Sequence, residues 1–235
     1  MATGKHAGKK SVQQNDFLAP YAPTIGTATD VGTSRAYNNG AATVTFTPDA
    51  RNAATSYTVT SSTGQSGTGS SSPITVTGLP SNATPTFTVT ATNSYGTSQA
   101  SSATSAITIT TVPDAPTGVS GSSPSGTNYD TVTWTAPNNG GKAITNYHVM
   151  GNDGTTGDTS GTSINITQGA GETQSYTVYA TNANGNSATS VASANVTTFS
   201  FVPFSVFGFS PFGFSPFGFS PFGFSPFGFS PFSFR

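Results

Sequence analysis

The stretch Thr86-Phe87-Thr88-Val89-Thr90-Ala91-Thr92-Asn93 alternates apolar and hydroxyl-bearing side chains. Strict alternation over this length predicts a β-strand with one buried face and one solvent face. The pattern returns as Ser175-Tyr176-Thr177-Val178-Tyr179-Ala180-Thr181-Asn182, a step of 89 residues from Phe87 to Tyr176. The sequence therefore predicts two copies of one β-domain.

Other short alternating runs surround this strand in both copies, separated by clusters of Gly, Asn, Ser and Pro. In the first copy the runs are residues 42–47, 56–60, 74–79, 86–92 and 106–110, and in the second they are residues 131–135, 146–150, 164–166, 175–181 and 194–198. Phe46 and Trp134 are 88 residues apart, and Tyr57 and Tyr147 are 90 apart. This near-constant offset predicts one domain in each copy.

The predicted fold class is all-β, and the chain divides into four predicted segments. These are a flexible N-terminal arm at residues 1–17, β-domains at residues 18–112 and 113–199, and a C-terminal repeat at residues 200–235.

Several motifs give each domain a resemblance to a fibronectin type III module. Pro23-Thr24-Ile25 and Pro116-Thr117-Gly118-Val119 open the copies, Gly78-Leu79 precedes the aromatic strand of the first, and Gly96 and Gly185 follow those strands. Two departures are Phe46 where the family usually has Trp, and Gln168-Gly169 in place of Gly-Leu in the second copy. The resemblance implies two tandem seven-stranded antiparallel sandwiches. The core side chains that it implies are Phe46, Tyr57, Phe87, Val89, Trp134, Tyr147, Tyr176 and Val178.

The C-terminal segment is a pentapeptide repeat, in which Pro-Phe-Gly-Phe-Ser runs four times from Pro211 to Ser230. A Pro in every repeat excludes a continuous helix. Burying a Phe contributes about 1.5–3 kcal/mol, whereas ordering each residue costs about 1–2 kcal/mol in backbone entropy, so one tail alone gains little by folding. We predict that the tail buries its rings against copies of itself or a partner. The alternative is a disordered low-complexity tract.

The predicted assembly and anchoring residues are the paired rings of the repeats. They are Phe207, Phe209, Phe212, Phe214, Phe217, Phe219, Phe222, Phe224, Phe227, Phe229, Phe232 and Phe234. A homo-oligomer is predicted, with a trimer by analogy with viral fibres. A groove on a capsid or tail surface is the alternative anchor.

Charge and composition argue against several function classes. The chain has only seven Lys or Arg and eight Asp or Glu, and it has no Cys. A nucleic-acid binder needs a basic patch, and none exists beyond Lys5, Lys9 and Lys10. No apolar run is long enough for a membrane-spanning helix or for the centre of a secretion signal. We therefore predict neither a nucleic-acid partner nor a membrane partner.

No catalytic or metal-binding constellation is predicted. His6 and His148 are the only histidines, and His148 is predicted to be exposed on a strand, without an acid or base partner. Asp153, Asp158 and Glu172 flank glycine-rich turns, but their spacing matches no calcium loop. The sequence predicts a non-enzymatic protein with no cofactor.

Modules with Thr-, Ser- and Asn-rich surfaces, in a chain without a recognisable export signal, resemble accessory domains of tailed-bacteriophage virion proteins. The resemblance implies a capsid decoration, neck or tail-fibre component that assembles in the host cytoplasm, with other virion proteins and host surface glycans as partners. One alternative is a bacterial extracellular adhesin or a filament or stalk subunit. Another is a non-catalytic appendage of a polysaccharide-degrading enzyme.

Overall fold

The computed structural model describes residues 18–199, which form β-strands and no helix. The all-β prediction is confirmed for this part of the chain. The predicted arm at residues 1–17 and the predicted repeat at residues 200–235 lie outside the described residues, as do all twelve predicted anchoring Phe side chains.

The first sandwich has seven strands in two antiparallel sheets, as predicted. The strands are β1 (Thr24–Asp30), β2 (Gly40–Thr47), β3 (Ser56–Ser61), β4 (Ser66–Gly69), β5 (Ile74–Leu79), β6 (Phe87–Asn93) and β7 (Gly96–Thr97). One sheet has the order β1-β2-β5 and the other has the order β4-β3-β6-β7.

The second sandwich repeats this arrangement and adds a short ribbon. Its strands are β8 (Thr117–Ser122), β9 (Tyr129–Thr135), β10 (Ile144–Gly151), β11 (Thr156–Thr159), β12 (Ser163–Thr167), β13 (Thr173–Gln174), β14 (Tyr176–Asn182), β15 (Gly185–Asn186) and β16 (Val196–Thr197). The two main sheets have the orders β12-β9-β8 and β11-β10-β14-β15, and β13 pairs with β16. The prediction of seven strands thus omits this extra ribbon.

Each sandwich has its own hydrophobic core between its two sheets. All eight predicted core side chains are buried, and alternation along β6 and β14 places every second residue inside. The rings of Phe46 and Tyr57 lie 4.8 Å apart, and those of Trp134 and Tyr147 lie 5.3 Å apart. The predicted boundary between residues 112 and 113 falls in the connection between β7 and β8.

The predicted final run of the first domain, residues 106–110, is not a strand. Instead, Ser98, Ser101 and Thr104 lie along β6, and each pairs with one strand residue. Ser101, for example, donates its backbone N–H to the Val89 carbonyl at 2.9 Å, and its hydroxyl accepts the Val89 N–H at 3.0 Å. The second sandwich repeats this arrangement with Ser187, Ser190 and Ser193 against Ala180, Val178 and Tyr176. We call these two segments the serine ladders.

The ladders differ from a strand because their contacts recur at every third residue, whereas those of the strand recur at every second. Alternation with a period of two cannot reveal such a segment. The second predicted final run, residues 194–198, is only partly strand, since β16 covers Val196–Thr197.

Candidate functional site

The two sandwiches meet through a hydrogen-bonded joint. The β1–β2 loop and the segment around Thr110 and Thr111 face the β9–β10 loop and the β14–β15 turn. The backbone N–H of Ser34 donates to the Asn184 carbonyl at 2.8 Å, and that of Thr111 donates to the Gly140 carbonyl at 2.7 Å. Backbone groups of both sandwiches are therefore paired across the joint.

Two buried asparagines supply most of its side-chain contacts. The Asn182 amide donates to the carbonyls of Thr111 at 2.9 Å and Asn139 at 2.8 Å. The Asn184 amide donates to the Thr110 hydroxyl at 2.8 Å and to the Thr111 carbonyl at 3.1 Å. Thr110 is tied to the first sandwich, because its N–H and its hydroxyl both donate to Asp30. Hydrogen bonds between buried groups depend on fixed geometry, so these contacts fix the relative orientation of the sandwiches.

A glycine permits the close approach at this joint. Gly140 has a φ of 66°, and a Cβ there would collide with the backbone oxygens of Val112 and Thr111. Any other residue would therefore push the β9–β10 loop away from the first sandwich.

A cavity of about 490 Å³ opens beside the joint. The first sandwich contributes Ser34, Ala36 and Tyr37, the connection contributes residues 112–115, and residues 185–188 of the second sandwich complete the lining. The cavity holds no cluster of titratable groups, since Asp114 is the only charged side chain that lines it.

The second core contains a buried polar network that has no counterpart in the first core. The Tyr176 hydroxyl donates to the Asp130 carboxyl at 2.6 Å and accepts from the Gln168 amide at 3.1 Å. The second Asp130 carboxyl oxygen has no hydrogen-bond partner among the described residues. Burial, and then the bond to Asp130, raise the pKa of Tyr176 well above its usual value. In the first sandwich the equivalent positions carry Ala42 and Phe87, so the network is not required by the fold.

The outer face of the four-stranded sheet in the second sandwich carries one row of unlike side chains. Cross-strand pairing aligns Asp158 on β11, His148 on β10 and Tyr179 on β14. His148 Nδ1 lies 3.0 Å from Asp158 Oδ1, which also accepts the Asn146 amide at 2.7 Å. The His148 and Tyr179 rings are 5.0 Å apart. The hydrogen bonds from His148 and then Asn146 lower the pKa of Asp158. We call Asp158, His148 and Tyr179 the aromatic row.

The prediction that His148 lacks an acid or base partner is therefore wrong. The partner lies on β11, whose sequence Thr-Gly-Asp-Thr has no apolar alternation and so gave no strand signal. The His148 side chain is also only 21% exposed, and its ring lies beside that of Tyr179.

The three acidic residues considered for calcium do not form a site among residues 18–199. Asp153 accepts the N–H and the hydroxyl of Thr155 within a turn, and Asp158 belongs to the aromatic row. In this part of the chain no group of three His, Cys, Asp or Glu side chains could hold a metal ion.

No stretch within residues 18–199 forms a helix of the length and apolarity required to cross a bilayer.

Comparison with known proteins gives only structural likeness. No protein-family model matches the chain, and no curated protein is similar to it. A structure of chicken CNTN1 FN1–FN3 domains is 18% identical with a TM-score of 0.46, covering 77% of this chain and 67% of its own. Titin domains A168–A170 are 18% identical with a TM-score of 0.40, covering 77% and 62%. Titin kinase with its flanking domains is 30% identical with a TM-score of 0.33, covering 37% and 17%.

The chain thus spans less than two thirds of both titin structures. The sheets and cores of the described residues show two tandem β-sandwiches that resemble fibronectin type III modules.

Proposed function

We propose that this protein is a non-enzymatic structural component of a bacteriophage virion. It is a capsid decoration protein or a component of the neck or of a tail fibre. In this proposal the C-terminal repeat assembles or anchors the chain. The two sandwiches act as a spacer that presents a weakly adhesive surface to host glycans.

The observation that carries the proposal is the joint. Independent modules on a flexible linker need no buried contacts between them. Here Asn182 and Asn184 are buried between the sandwiches and donate four hydrogen bonds, three of them to Thr110 and Thr111. A spacer whose two parts hold one orientation keeps a surface at a fixed distance from its anchor.

The repeat supports the anchoring part of the proposal. Its rings recur at a constant step of five residues, as in Phe212, Phe217, Phe222 and Phe227. Several parallel copies could interlock such rings, whereas one copy alone gains little by folding.

Two changes to the tail test this part directly. Deletion of residues 200–235 should abolish oligomerisation or particle incorporation and leave the melting of the sandwiches unchanged. Replacement by Ser of the eight Phe in the four perfect repeats should have the same effect. Light scattering and the abundance of the protein in purified particles measure the outcome. Assembly of the truncated protein at wild-type stoichiometry would refute the anchoring role.

The spacer part is tested by a distance measurement. Because the chain has no Cys, Thr58→Cys and Thr133→Cys give one spin label on each sandwich. Pulsed electron paramagnetic resonance should show one narrow distance distribution. A broad distribution in the otherwise unchanged protein would contradict the fixed joint.

A bacterial extracellular adhesin or a filament or stalk subunit is the alternative, which the partly exposed aromatic row also suits. Mass spectrometry separates the two functions, because the protein should be found in purified phage particles in the first case and in the bacterial envelope fraction in the second.

A further inference from the structure

The two sandwiches use the same outer face differently. In the first, the row equivalent to the aromatic row consists of Thr68, Thr58 and Thr90, aligned by the same strand pairing. The second replaces these three threonines by Asp158, His148 and Tyr179. Since threonines satisfy the fold at these positions, the sandwich itself does not require the aromatic row.

The groups of the aromatic row remain available to a ligand. Asp158 accepts both of its hydrogen bonds at Oδ1, and its side chain is 58% exposed. Its second oxygen accepts no bond from any described residue and is free to accept one from a ligand. The His148 and Tyr179 rings lie beside each other, and both side chains remain partly exposed.

A shallow depression of about 340 Å³ lies beside the aromatic row on this side of the second sandwich. Its lining includes Met150, the next outward residue of β10 after His148, with Thr156 and Thr177 as the cross-strand partners of Met150. The surface therefore offers apolar contact next to hydroxyls and a carboxyl.

Charge restricts the ligand that this surface can take. Residues 113–199 carry one basic side chain, Lys142, against five acidic ones, Asp114, Asp130, Asp153, Asp158 and Glu172. With His148 neutral, the net charge of this sandwich is −4. Sialylated, sulfated and phosphorylated ligands are repelled by such a field, whereas an uncharged ligand is not.

We propose that the aromatic row, with Asn146 and Met150, binds a neutral sugar of a surface glycan. The apolar face of the pyranose ring packs on the partly exposed ring of Tyr179. One sugar hydroxyl donates to the free Asp158 oxygen, and others meet Thr156 or Thr177. This inference rests on the proposed adhesive function and assigns it to one face of the second sandwich.

The test uses the full-length protein on an array of neutral, sialylated and sulfated oligosaccharides, followed by calorimetric titration with the best neutral ligand. We expect only neutral glycans to be retained. The triple variant His148→Thr/Asp158→Thr/Tyr179→Thr, which copies the first sandwich, should weaken binding by about tenfold or more, the loss of about 1.4 kcal/mol. Tyr179→Phe, which keeps the ring, should bind more tightly than Tyr179→Thr, which removes it.

The matched control is Thr58→Ala/Thr68→Ala/Thr90→Ala, the same row in the first sandwich, which should leave binding unchanged. Unchanged melting temperatures verify folding of each variant. Retention of no neutral glycan, preference for acidic glycans, or full binding by the triple variant would overturn the inference. Particle incorporation, measured on the same variants, should be normal, so failure of glycan binding is distinguished from failure of the virion proposal.

Discussion

The Asp130–Tyr176 pair allows a sharp test of what the buried network contributes. Tyr176→Phe removes the hydroxyl that donates to Asp130 at 2.6 Å. Asp130 is 0% exposed and its other oxygen has no partner among residues 18–199, so within this part of the chain the variant leaves a buried carboxyl without a hydrogen bond. Leaving a buried polar group unpaired costs about 1–3 kcal/mol, and more if the group is charged. We expect the free energy of unfolding to fall by about 3 kcal/mol.

The equivalent residues of the first sandwich show which second substitution should compensate for the lost hydrogen bond. That sandwich carries Ala42 and Phe87 at the two positions, both fully buried. Asp130→Ala alone should cost about 1–3 kcal/mol because it leaves the buried Tyr176 O–H without an acceptor. The double variant Asp130→Ala/Tyr176→Phe should cost only about 1 kcal/mol, from the Gln168 N–H that loses its acceptor. The two changes are therefore strongly non-additive.

Urea denaturation of the full-length protein measures these differences. Trp134 is the only tryptophan and lies in the second core, so its fluorescence reports on that sandwich alone. A loss below about 0.5 kcal/mol for Tyr176→Phe, or a double variant that equals the sum of the singles, would refute the reasoning, since coupling energies of contacting pairs are about 0.5–3 kcal/mol.

Three further predictions concern alkaline pH, the second ladder and the joint. The pKa of Tyr176 is raised above the ordinary tyrosine value of 10.0 by burial and then by the bond to Asp130. The second sandwich should therefore keep its stability below pH 10 and lose it as the pH rises above 10. Tyr176→Phe should flatten this decline, and equal slopes would contradict the assignment. Ser190→Ala removes the hydroxyl that accepts the buried Val178 N–H at 2.9 Å, so the free energy of unfolding, followed by Trp134 fluorescence, should fall by about 1–3 kcal/mol. The same change at the exposed neighbour, Thr189→Ala, should be neutral. Equal losses of stability in the two variants would show that the ladder hydroxyl contributes nothing. Asn182→Ala/Asn184→Ala should broaden the distance distribution between labels on the two sandwiches, with Asn186→Ala as the exposed control, and an unchanged distribution would assign the joint to other contacts.

Alternation of apolar and polar residues predicted the strands that bury one face, because side chains at every second position of a strand lie on the same face. Phe87, Val89 and their counterparts Tyr176 and Val178 are core residues for this reason. The strands β1, β4, β8 and β11 were not among the predicted runs. β4 and β11 carry only Ser, Gly, Thr and Asp, so they have no apolar alternation, and they pair with β3 and β10.

The polar contacts were less accessible to sequence reasoning. Asn182 and Asn184 are two among many asparagines, and nothing local distinguishes an asparagine buried at a joint from one in a turn. Asp130 precedes an alternating run, and a charged residue at such a position is expected to be exposed, although it is fully buried. The aromatic row could have been found by aligning the two copies, since Thr90 and Tyr179 occupy equivalent strand positions. The assembly role of the Phe repeat stays a prediction.

The serine ladders also affect whether a strand of another molecule can pair with this border of the sheet. An ordinary outermost strand offers N–H and C=O groups at every second residue, a template on which a strand from another molecule can add. Along Ser98 and Ser101 the backbone N–H and the hydroxyl are already committed to β6, and each hydroxyl also donates to the carbonyl of the next residue. The committed groups recur at every third residue, so the groups that remain between them are out of step with any incoming strand. This border of the sheet is therefore a poor template for edge-to-edge pairing with a strand of another molecule.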